Sequence, residues 1–247
     1  MRYWLVMPAA GVGRRFGTSK PKQYAPLQGR TVIEWALAPF LADPACAGAV
    51  VAVAADDPCW DEVADRLTKL PGRVPELIFA QGGAERSHSV RKGLEAVREK
   101  AAPDDWVLVH DAARPCLSVD DLQLLLKRLG SHRVGGILAT PAADTLKRAG
   151  AALSSGADPE IDQTVDRAGL WRALTPQMFR YQMLCGALDR AFAAGRLPTD
   201  EAQALEWAGE RPLLVQGSAA NIKITSADDL VLAAALLNAR KSTPVAP

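Results

Sequence analysis

Short apolar runs alternate with longer segments of helical periodicity along most of the chain. The apolar runs predict strands at Trp4–Met7, Ala49–Ala54, Glu76–Ala80, Trp106–His110 and Gly136–Ala139. Between them, the spacing of apolar residues predicts helices at Thr31–Leu41, Pro58–Thr68, Arg86–Glu99 and Val119–Leu129, and Ser226 begins a further apolar helix. Strands that alternate with helices are typical of an α/β fold, in which helices cover a mostly parallel sheet.

The pattern changes between Pro141 and Gly169. Residues Thr145–Arg148 and Ile161–Val165 have the character of two short strands around a tip rich in small residues and proline. Such a hairpin is marginal in water unless it packs on something else. It is therefore either a surface insertion or an arm that grips a second subunit. We favour an arm at residues 141–168 within a single domain of residues 1–247.

The composition is that of a soluble globular enzyme. The 247 residues are 49% apolar and 23% charged, and the net charge of +1 does not favour nucleic acid as a partner. No apolar stretch approaches the roughly 20 residues that span a bilayer, and the N-terminus is too short for a signal peptide. The four cysteines lie far apart without metal-ligand spacing, which predicts reduced thiols in a cytoplasmic protein with no membrane partner. The scattered histidines His88, His110 and His132 are interpreted as structural.

The segment from Pro8 to Leu27 carries the strongest chemical signal. It joins a glycine-rich turn, at the end of the first predicted strand, to the cations Arg14, Arg15 and Lys22. Glycines let successive N–H groups turn toward one anion, and open α/β sheets bind ligands at this edge. An ordinary turn with solvated cations is the alternative, but the whole cluster favours a nucleotide site. Phe16 stands where a dinucleotide fingerprint needs glycine, and no Walker loop is present, so a dehydrogenase or P-loop kinase is disfavoured.

Two more predicted strands end at the same edge with polar residues. Asp111 follows one of them and could hold Mg²⁺, although a structural ion pair with Arg114 is equally consistent with the sequence. The loop 82–89 follows another strand and opens a helix, and its glycines would let the backbone approach a flat base. Ser87 or Ser89 could bind that ligand, but capping of the helix is the simpler interpretation.

Seven blocks of sequence, taken in order, resemble one family. They are Ala9-Ala10-Gly11-x-Gly-x-Arg15, Pro21-Lys22-Gln23-Tyr24, Gly83-x-Glu-Arg86-x-x-Ser89, His110-Asp111-Ala-Ala-Arg114-Pro115, Thr175-Pro176-Gln177, Thr199-Asp200-Glu201 and Asn221-Ile222-Lys223. Over essentially the full chain they are similar to the 2-C-methyl-D-erythritol 4-phosphate cytidylyltransferase family. The resemblance implies a Rossmann-like nucleotidyltransferase fold and a homodimer held by interlocking β-arms. The implied reaction transfers CMP from CTP to 2-C-methyl-D-erythritol 4-phosphate and releases pyrophosphate, in non-mevalonate isoprenoid synthesis.

The resemblance also implies roles for individual residues. Arg15 and Lys22 would stabilise the transition state, and Arg167 and Lys223 would position the attacking phosphate. The cradle for cytidine and phosphate would comprise Ala9, Ala10, Gly11, Gly13, Gly83 and Ser89. Contacts to the methylerythritol phosphate would come from Asp111, Arg114, Thr145, Thr175 and Thr199. Mg²⁺ would bridge the triphosphate near Asp111, and the arm residues Thr145 and Arg167 would enter the site of the partner subunit.

Two alternatives differ from this assignment in substrate or in activity. A ribitol 5-phosphate cytidylyltransferase would have nearly the same nucleotide half. A non-catalytic nucleotide-binding module would keep the fold without turnover, but the joint presence of the implied catalytic cations argues against it. Ala84 and Ala220 stand where some family members have an acid, which removes a side-chain contact at each place. Because the sequence ends at Pro247, we expect no fused cyclase domain.

Overall fold

A computed structural model describes residues 1–11, 21–69, 75–150 and 158–242. The strands are β1 (Tyr3–Pro8), β2 (Pro26–Leu27), β3 (Arg30–Thr31), β4 (Cys46–Val53), β5 (Glu76–Gln81), β6 (Trp106–Val109), β7 (Gly135–Pro141), β8 (Leu146–Ala149), β9 (Ile161–Val165), β10 (Trp171–Arg180) and β11 (Leu213–Gln216). The helices are α1 (Val32–Leu41), α2 (Trp60–Thr68), α3 (Arg86–Glu95), α4 (Val119–Leu129), α5 (Tyr181–Ala193), α6 (Glu201–Trp207) and α7 (Ala227–Ser242), with a 3₁₀ turn at Lys22–Tyr24. The predicted α/β class is confirmed.

The central sheet has the strand order β11-β7-β10-β6-β1-β4-β5. Its neighbouring strands are parallel except for β10, which runs antiparallel to both β6 and β7. The carboxyl ends of β1, β4, β5 and β6 therefore meet at one edge, and loops that follow these strands can build a common site.

Helices cover both faces of β1, and its side chains alternate between them. Leu5 and Met7 pack in a cluster with residues of α1 and α4, whereas Trp4 and Val6 pack with residues of α3 and α5. This double cover explains the uninterrupted apolar run, because a strand buried on both faces has no polar side. A Cβ at Gly93 of α3 would lie 2.6 Å from Cγ1 of Val6, so α3 packs directly on the sheet.

Helix boundaries follow the prediction with small shifts. Ser118 caps α4, and its Oγ accepts a hydrogen bond of 3.1 Å from the backbone N–H of Asp121. Helix α2 begins two residues after Pro58, and α3 ends at Glu95 rather than at Glu99. None of the helices described here has both the length and the apolar composition needed to cross a membrane.

The predicted hairpin forms a separate two-stranded antiparallel sheet of β8 and β9. Its residues are almost all exposed, and Ile161 presents 66% of its surface to solvent. A two-stranded hairpin gains little stability by itself in water. The association of this arm with a second subunit stays a prediction.

Candidate active site

A pocket opens at the carboxyl edge of the sheet, among the segments that follow β1, β5 and β6. The described residues that line it are Pro8, Ala9, Ala10, Gly11, Lys22, Gln23, Gly83, Ala84, Glu85, Arg86, Ser89, Asp111, Ala112, Ala113 and Lys223. The structure thus brings together eight residues singled out from the sequence: Ala9, Ala10, Gly11, Lys22, Gly83, Ser89, Asp111 and Lys223. Their convergence at this edge matches the place where open α/β sheets bind ligands.

The turn after β1 is held from the side by the buried amide of Gln23. Its Nε2 donates to the carbonyl oxygens of Ala9 at 2.7 Å and Gly11 at 3.3 Å. In a trans peptide the N–H points opposite to the carbonyl, so the Ala10 N–H lies on the side away from Gln23. A Cβ at Gly11 would meet no described atom within 4 Å, which leaves room beside the backbone. The Ala10 N–H and the open side of Gly11 can therefore both approach an anion.

The loop after β5 approaches this turn closely. A Cβ at Gly82 would collide with Cβ of Ala10, so only glycine fits there. The Oγ of Ser89 accepts from the Gly83 N–H at 3.0 Å and donates to the Glu85 carbonyl at 3.2 Å. The interpretation that a serine caps α3 is wrong, because Glu85 occupies the N-cap position. Ser89 instead fixes the loop that faces the pocket.

The carboxylate of Asp111 lies among three cations. Its Oδ1 is 2.9 Å from Nε of Arg86, and its Oδ2 is 2.9 Å from Nζ of Lys223. The predicted pair with Arg114 also forms, but at 3.6 Å from Nε to Oδ2. Burial by itself would raise the pKa of Asp111, yet these cations lower that pKa well below its ordinary value. Asp111 is therefore a carboxylate at neutral pH.

Arg114 and Thr175 lie behind the pocket wall rather than along it. The Arg114 guanidinium donates to the Asn221 carbonyl at 2.8 Å, and Oγ1 of Thr175 accepts from the Asp111 N–H at 3.1 Å. Nε2 of His110 is 3.1 Å from the Arg114 carbonyl, so it donates, and Nδ1 accepts from the Thr175 hydroxyl at 2.9 Å. Both residues brace the segment that carries Asp111, and their contact with substrate stays a prediction.

The segment that carries Lys223 is anchored to β10 and to the loop after β6. Nδ2 of Asn221 donates to the Thr175 carbonyl at 2.7 Å, and the Ile224 N–H donates to the Ala113 carbonyl at 2.8 Å. The Ile224 carbonyl in turn accepts from Nζ of Lys22 at 2.7 Å. This segment therefore brings Lys22 and Lys223 to one pocket.

Three of the remaining predicted site residues lie elsewhere on this chain. Thr199 is exposed before α6, with its N–H donating to Oε1 of Gln203 at 2.8 Å. Thr145 precedes β8 and Arg167 follows β9; both are exposed, and neither lines the pocket. Gly13 and Arg15 lie outside the described residues, as does Arg14. The roles of all these residues stay predictions.

Arg86 and Glu201 were not singled out from the sequence. NH1 and NH2 of Arg86 donate to the two carboxylate oxygens of Glu201 at 2.6 and 3.0 Å. Burial raises the pKa of Glu201 above its ordinary value, although the charge of Arg86 acts against that rise. Both residues belong to the family sequence blocks quoted above, Arg86 in the block of Gly83 and Glu201 in the block of Thr199. This membership was the only sequence signal that could have marked them as site residues.

The charge of the lining suits a polyanion. Lys22, Arg86 and Lys223 outnumber the two carboxylates, Glu85 and Asp111, among the described lining residues. In the described ranges, no group of three or more histidine, cysteine or acidic side chains could hold a metal. Mg²⁺ commonly binds through one or two carboxylates together with substrate phosphates, so Asp111 fits a cation that arrives with a triphosphate.

A backbone cradle, a glycine loop and converging cations at the carboxyl edge of a mostly parallel sheet define a nucleotidyltransferase site. The model of the IspD family, 2-C-methyl-D-erythritol 4-phosphate cytidylyltransferase, matches residues 3–239. The chain belongs to this family, and it is a cytidylyltransferase.

Individual proteins show the same similarity over nearly the full length. The cytidylyltransferase of Halorhodospira halophila is 51% identical over 243 residues, covering 98% of this chain and 96% of that protein. The enzyme of Vibrio vulnificus (strain CMCP6) is 47% identical over 236 residues, covering 96% of this chain and 94% of that protein. A crystal structure of a 4-diphosphocytidyl-2C-methyl-D-erythritol synthase has a TM-score of 0.79 at 38% identity, covering 96% of this chain and 98% of that one. The nucleotidyltransferase fold expected from the sequence is confirmed.

Proposed function

We propose that this chain transfers CMP from CTP to 2-C-methyl-D-erythritol 4-phosphate. The products are 4-diphosphocytidyl-2-C-methyl-D-erythritol and pyrophosphate, in the non-mevalonate route to isoprenoid precursors. The membership of the family supports this substrate pair. The observation that carries the proposal is the convergence of Lys22, Lys223 and Asp111 with the turn at residues 9–11 and the loop at residues 82–86.

CTP binds in the cradle between the turn after β1 and the loop after β5. The Ala10 N–H and the open side of Gly11 receive a phosphate, and the loop held by Ser89 receives the cytosine. Close approach of Gly82 to Ala10 keeps the two halves of the cradle together. The backbone thereby fixes the nucleotide before any side-chain charge acts on the reacting phosphorus.

The transfer is an in-line displacement at the α-phosphorus. A phosphate oxygen of the methylerythritol phosphate forms the new P–O bond, and the bond from the α-phosphorus to the bridging oxygen breaks as pyrophosphate leaves. The attacking phosphate is already ionised at neutral pH, so no general base is required. Lys22 and Arg15 stabilise the charge that builds on the phosphoryl and pyrophosphate oxygens, and Lys223 and Arg167 position the attacking phosphate.

Asp111 serves two neighbours in this arrangement. Its Oδ2 holds Nζ of Lys223, and its position on the pocket wall suits contact with the methylerythritol phosphate. As the proposed cofactor, Mg²⁺ would be held by Asp111 together with the triphosphate, and it would neutralise part of the phosphate charge.

The arm requires a second copy of the chain. Thr145 and Arg167 are exposed and do not line the pocket of their own chain, whereas the family resemblance assigns both to the methylerythritol phosphate. A homodimer with exchanged arms places them in the partner's site and covers the exposed residues of β8 and β9. Contacts to substrate by Arg114, Thr175 and Thr199, and the cytoplasm as the place of action, complete the proposal.

A pyrophosphate-release assay with two alcohols tests the function. Purified protein with CTP and Mg²⁺ receives either 2-C-methyl-D-erythritol 4-phosphate or ribitol 5-phosphate. We expect release with the first alcohol, and release with ribitol 5-phosphate alone would contradict the assignment. Binding of CTP without release in either arm would identify a non-catalytic nucleotide-binding module. Lys69→Ala, an exposed residue directly after α2, is a control that should keep full turnover.

A further inference from the structure

Arg86 connects three parts of the molecule through one guanidinium group. It is the first residue of α3, directly after the loop that faces the nucleotide. Its Nε donates to Asp111 after β6, and its two terminal nitrogens donate to both oxygens of Glu201, the first residue of α6. All three nitrogens therefore bind a carboxylate, and the side chain has no rotational freedom left for another arrangement.

Glu201 makes this arrangement rigid. Its side chain is 1% exposed, compared with 26% for Arg86. A buried carboxylate that lost its cation would be left with an unpaired charge, so Glu201 holds the guanidinium firmly in one place. The Nε–H of Arg86 is thereby directed at Oδ1 of Asp111, at the edge of the pocket.

The contact with Arg86 divides the Asp111 carboxylate between two tasks. Oδ1 is held by Arg86, while Oδ2 meets Nζ of Lys223 at 2.9 Å and Nε of Arg114 at 3.6 Å. Without Arg86, the carboxylate could rotate about its χ2 angle toward Lys223. The ammonium group that is to orient the incoming phosphate would then be bound more tightly by the protein.

We propose that Arg86 is a positioning residue for the transfer reaction: held by Glu201, it fixes Asp111 so that this carboxylate holds the Lys223 ammonium where it can orient the alcohol phosphate. The inference rests on the proposed role of Asp111 and Lys223 at the alcohol side. The nucleotide loop itself is held by Ser89, so the loss of the Arg86 side chain leaves the cytidine cradle in place.

A purely structural role for the same ion pair predicts a different result, and a double variant separates the two roles. Arg86→Met leaves Glu201 buried without its cation and destabilises the protein. Arg86→Met combined with Glu201→Gln removes both charges, so no uncompensated charge stays buried at position 201 and we expect much of the stability to return. If Arg86 only supports the docking of α6, turnover returns with stability. If Arg86 positions Asp111, stability returns and turnover does not.

The experiment compares the wild type, both single variants and the double variant by melting temperature, calorimetric CTP binding, and kcat and KM for the alcohol phosphate. We expect the double variant to regain most of the melting temperature that Arg86→Met loses. Its kcat/KM for the alcohol should stay about 10²-fold below wild type, because misplacement of a reacting group costs that much. CTP binding should change much less than kcat/KM for the alcohol, because the double variant removes one charge of each sign. Arg86→Lys should recover only part of the loss, since an ammonium cannot bind both carboxylates in this geometry.

Arg91→Met is the matched control, since Arg91 lies on the same helix and pairs with Asp189 and Glu95 on the surface. It should leave kcat/KM at the wild-type value. Recovery of wild-type kcat/KM in the double variant would overturn the proposal. If the wild type turns over only ribitol 5-phosphate, the assigned function is wrong. The ratio of kcat/KM between the double variant and the wild type, measured with ribitol 5-phosphate, then decides the role of Arg86. Absence of turnover with either alcohol overturns both.

Discussion

The pocket wall and the arm both carry residues assigned to the substrate phosphate, but the chain supports them in opposite ways. Around Asp111, the carboxylate and the adjacent backbone N–H are bound by neighbours within the same chain. On the arm, the exposed side chains of Thr145 and Arg167 make no hydrogen bond to any residue in the described ranges. The wall is held together by contacts within one chain, whereas the two arm residues would reach a substrate only in the proposed homodimer.

Lys22→Ala should have the largest effect, and it tests the self-contained side of this comparison. We expect turnover to fall by ~10²–10³, because a cation aimed at the transition state is removed, while CTP affinity changes much less. Pyrophosphate release measures the first quantity, and calorimetry with CTP measures the second. An effect confined to KM would show that Lys22 contributes only to ground-state binding.

Mixing two inactive variants tests the dependence of the arm on a second copy. Lys22→Ala damages the pocket of its own chain, and Arg167→Ala damages the arm that enters the partner's pocket. Mixed dimers contain one intact site, so a one-to-one mixture after subunit exchange should regain about a quarter of the wild-type activity. The two homodimers, assayed separately and then summed, provide the baseline. No recovery after exchange, shown for example by tagged subunits, would exclude shared sites.

His110→Gln removes the buried imidazole that supports the pocket wall. We expect it to change the stability of the protein, and this effect is the smallest of the three. Burial lowers the pKa of His110 from the ordinary 6.5 to about 4. As the pH falls, the imidazole is protonated in the unfolded chain before it is protonated in the folded one. The contribution of the neutral His110 to stability is therefore fully present above pH 6.5 and is lost as the pH falls toward 4. The shift corresponds to about 3 kcal/mol in the free energy of unfolding.

Urea unfolding at several pH values between 4 and 7 measures this dependence. The slope of unfolding free energy against pH should be shallower in His110→Gln than in the wild type. Arg167→Ala, on the exposed arm, should keep the wild-type slope. An identical slope in the His110 variant would contradict the buried neutral imidazole that supports Thr175.

Sequence patterns predicted the parts of the fold that follow local rules. The five strands expected from apolar runs all form, because each is buried on both faces or packed against helices. Strand β10 was not predicted, and its pairing with β7 shifts register between Ala173 and Gln177, where Pro176 interrupts the ladder. Proline is disfavoured inside strands, so the local pattern argued against the strand that the tertiary structure makes. The short edge strand β11 was missed as well.

The site was predictable where chemistry is local and unpredictable where it depends on distant pairing. The turn at residues 9–11 and the acid Asp111 stand directly at strand ends, so their meeting follows from a parallel sheet. Arg86 and Glu201 are 115 positions apart, and no spacing rule links them. The sequence likewise indicates only that Gln23 is a polar residue near a turn. The structure shows that its amide donates to the backbone carbonyl of Ala9.

The contact between Lys22 and the Ile224 carbonyl joins residues 202 positions apart, and this separation has a consequence for synthesis on the ribosome. Chains fold from the N-terminus as they emerge, so the turn that follows β1 exists long before the segment with Lys223 has been made. The cations of the pocket come together only when nearly the whole polypeptide is available. A prematurely terminated chain that ends before this segment therefore lacks both Lys223 and the carbonyl that holds Lys22.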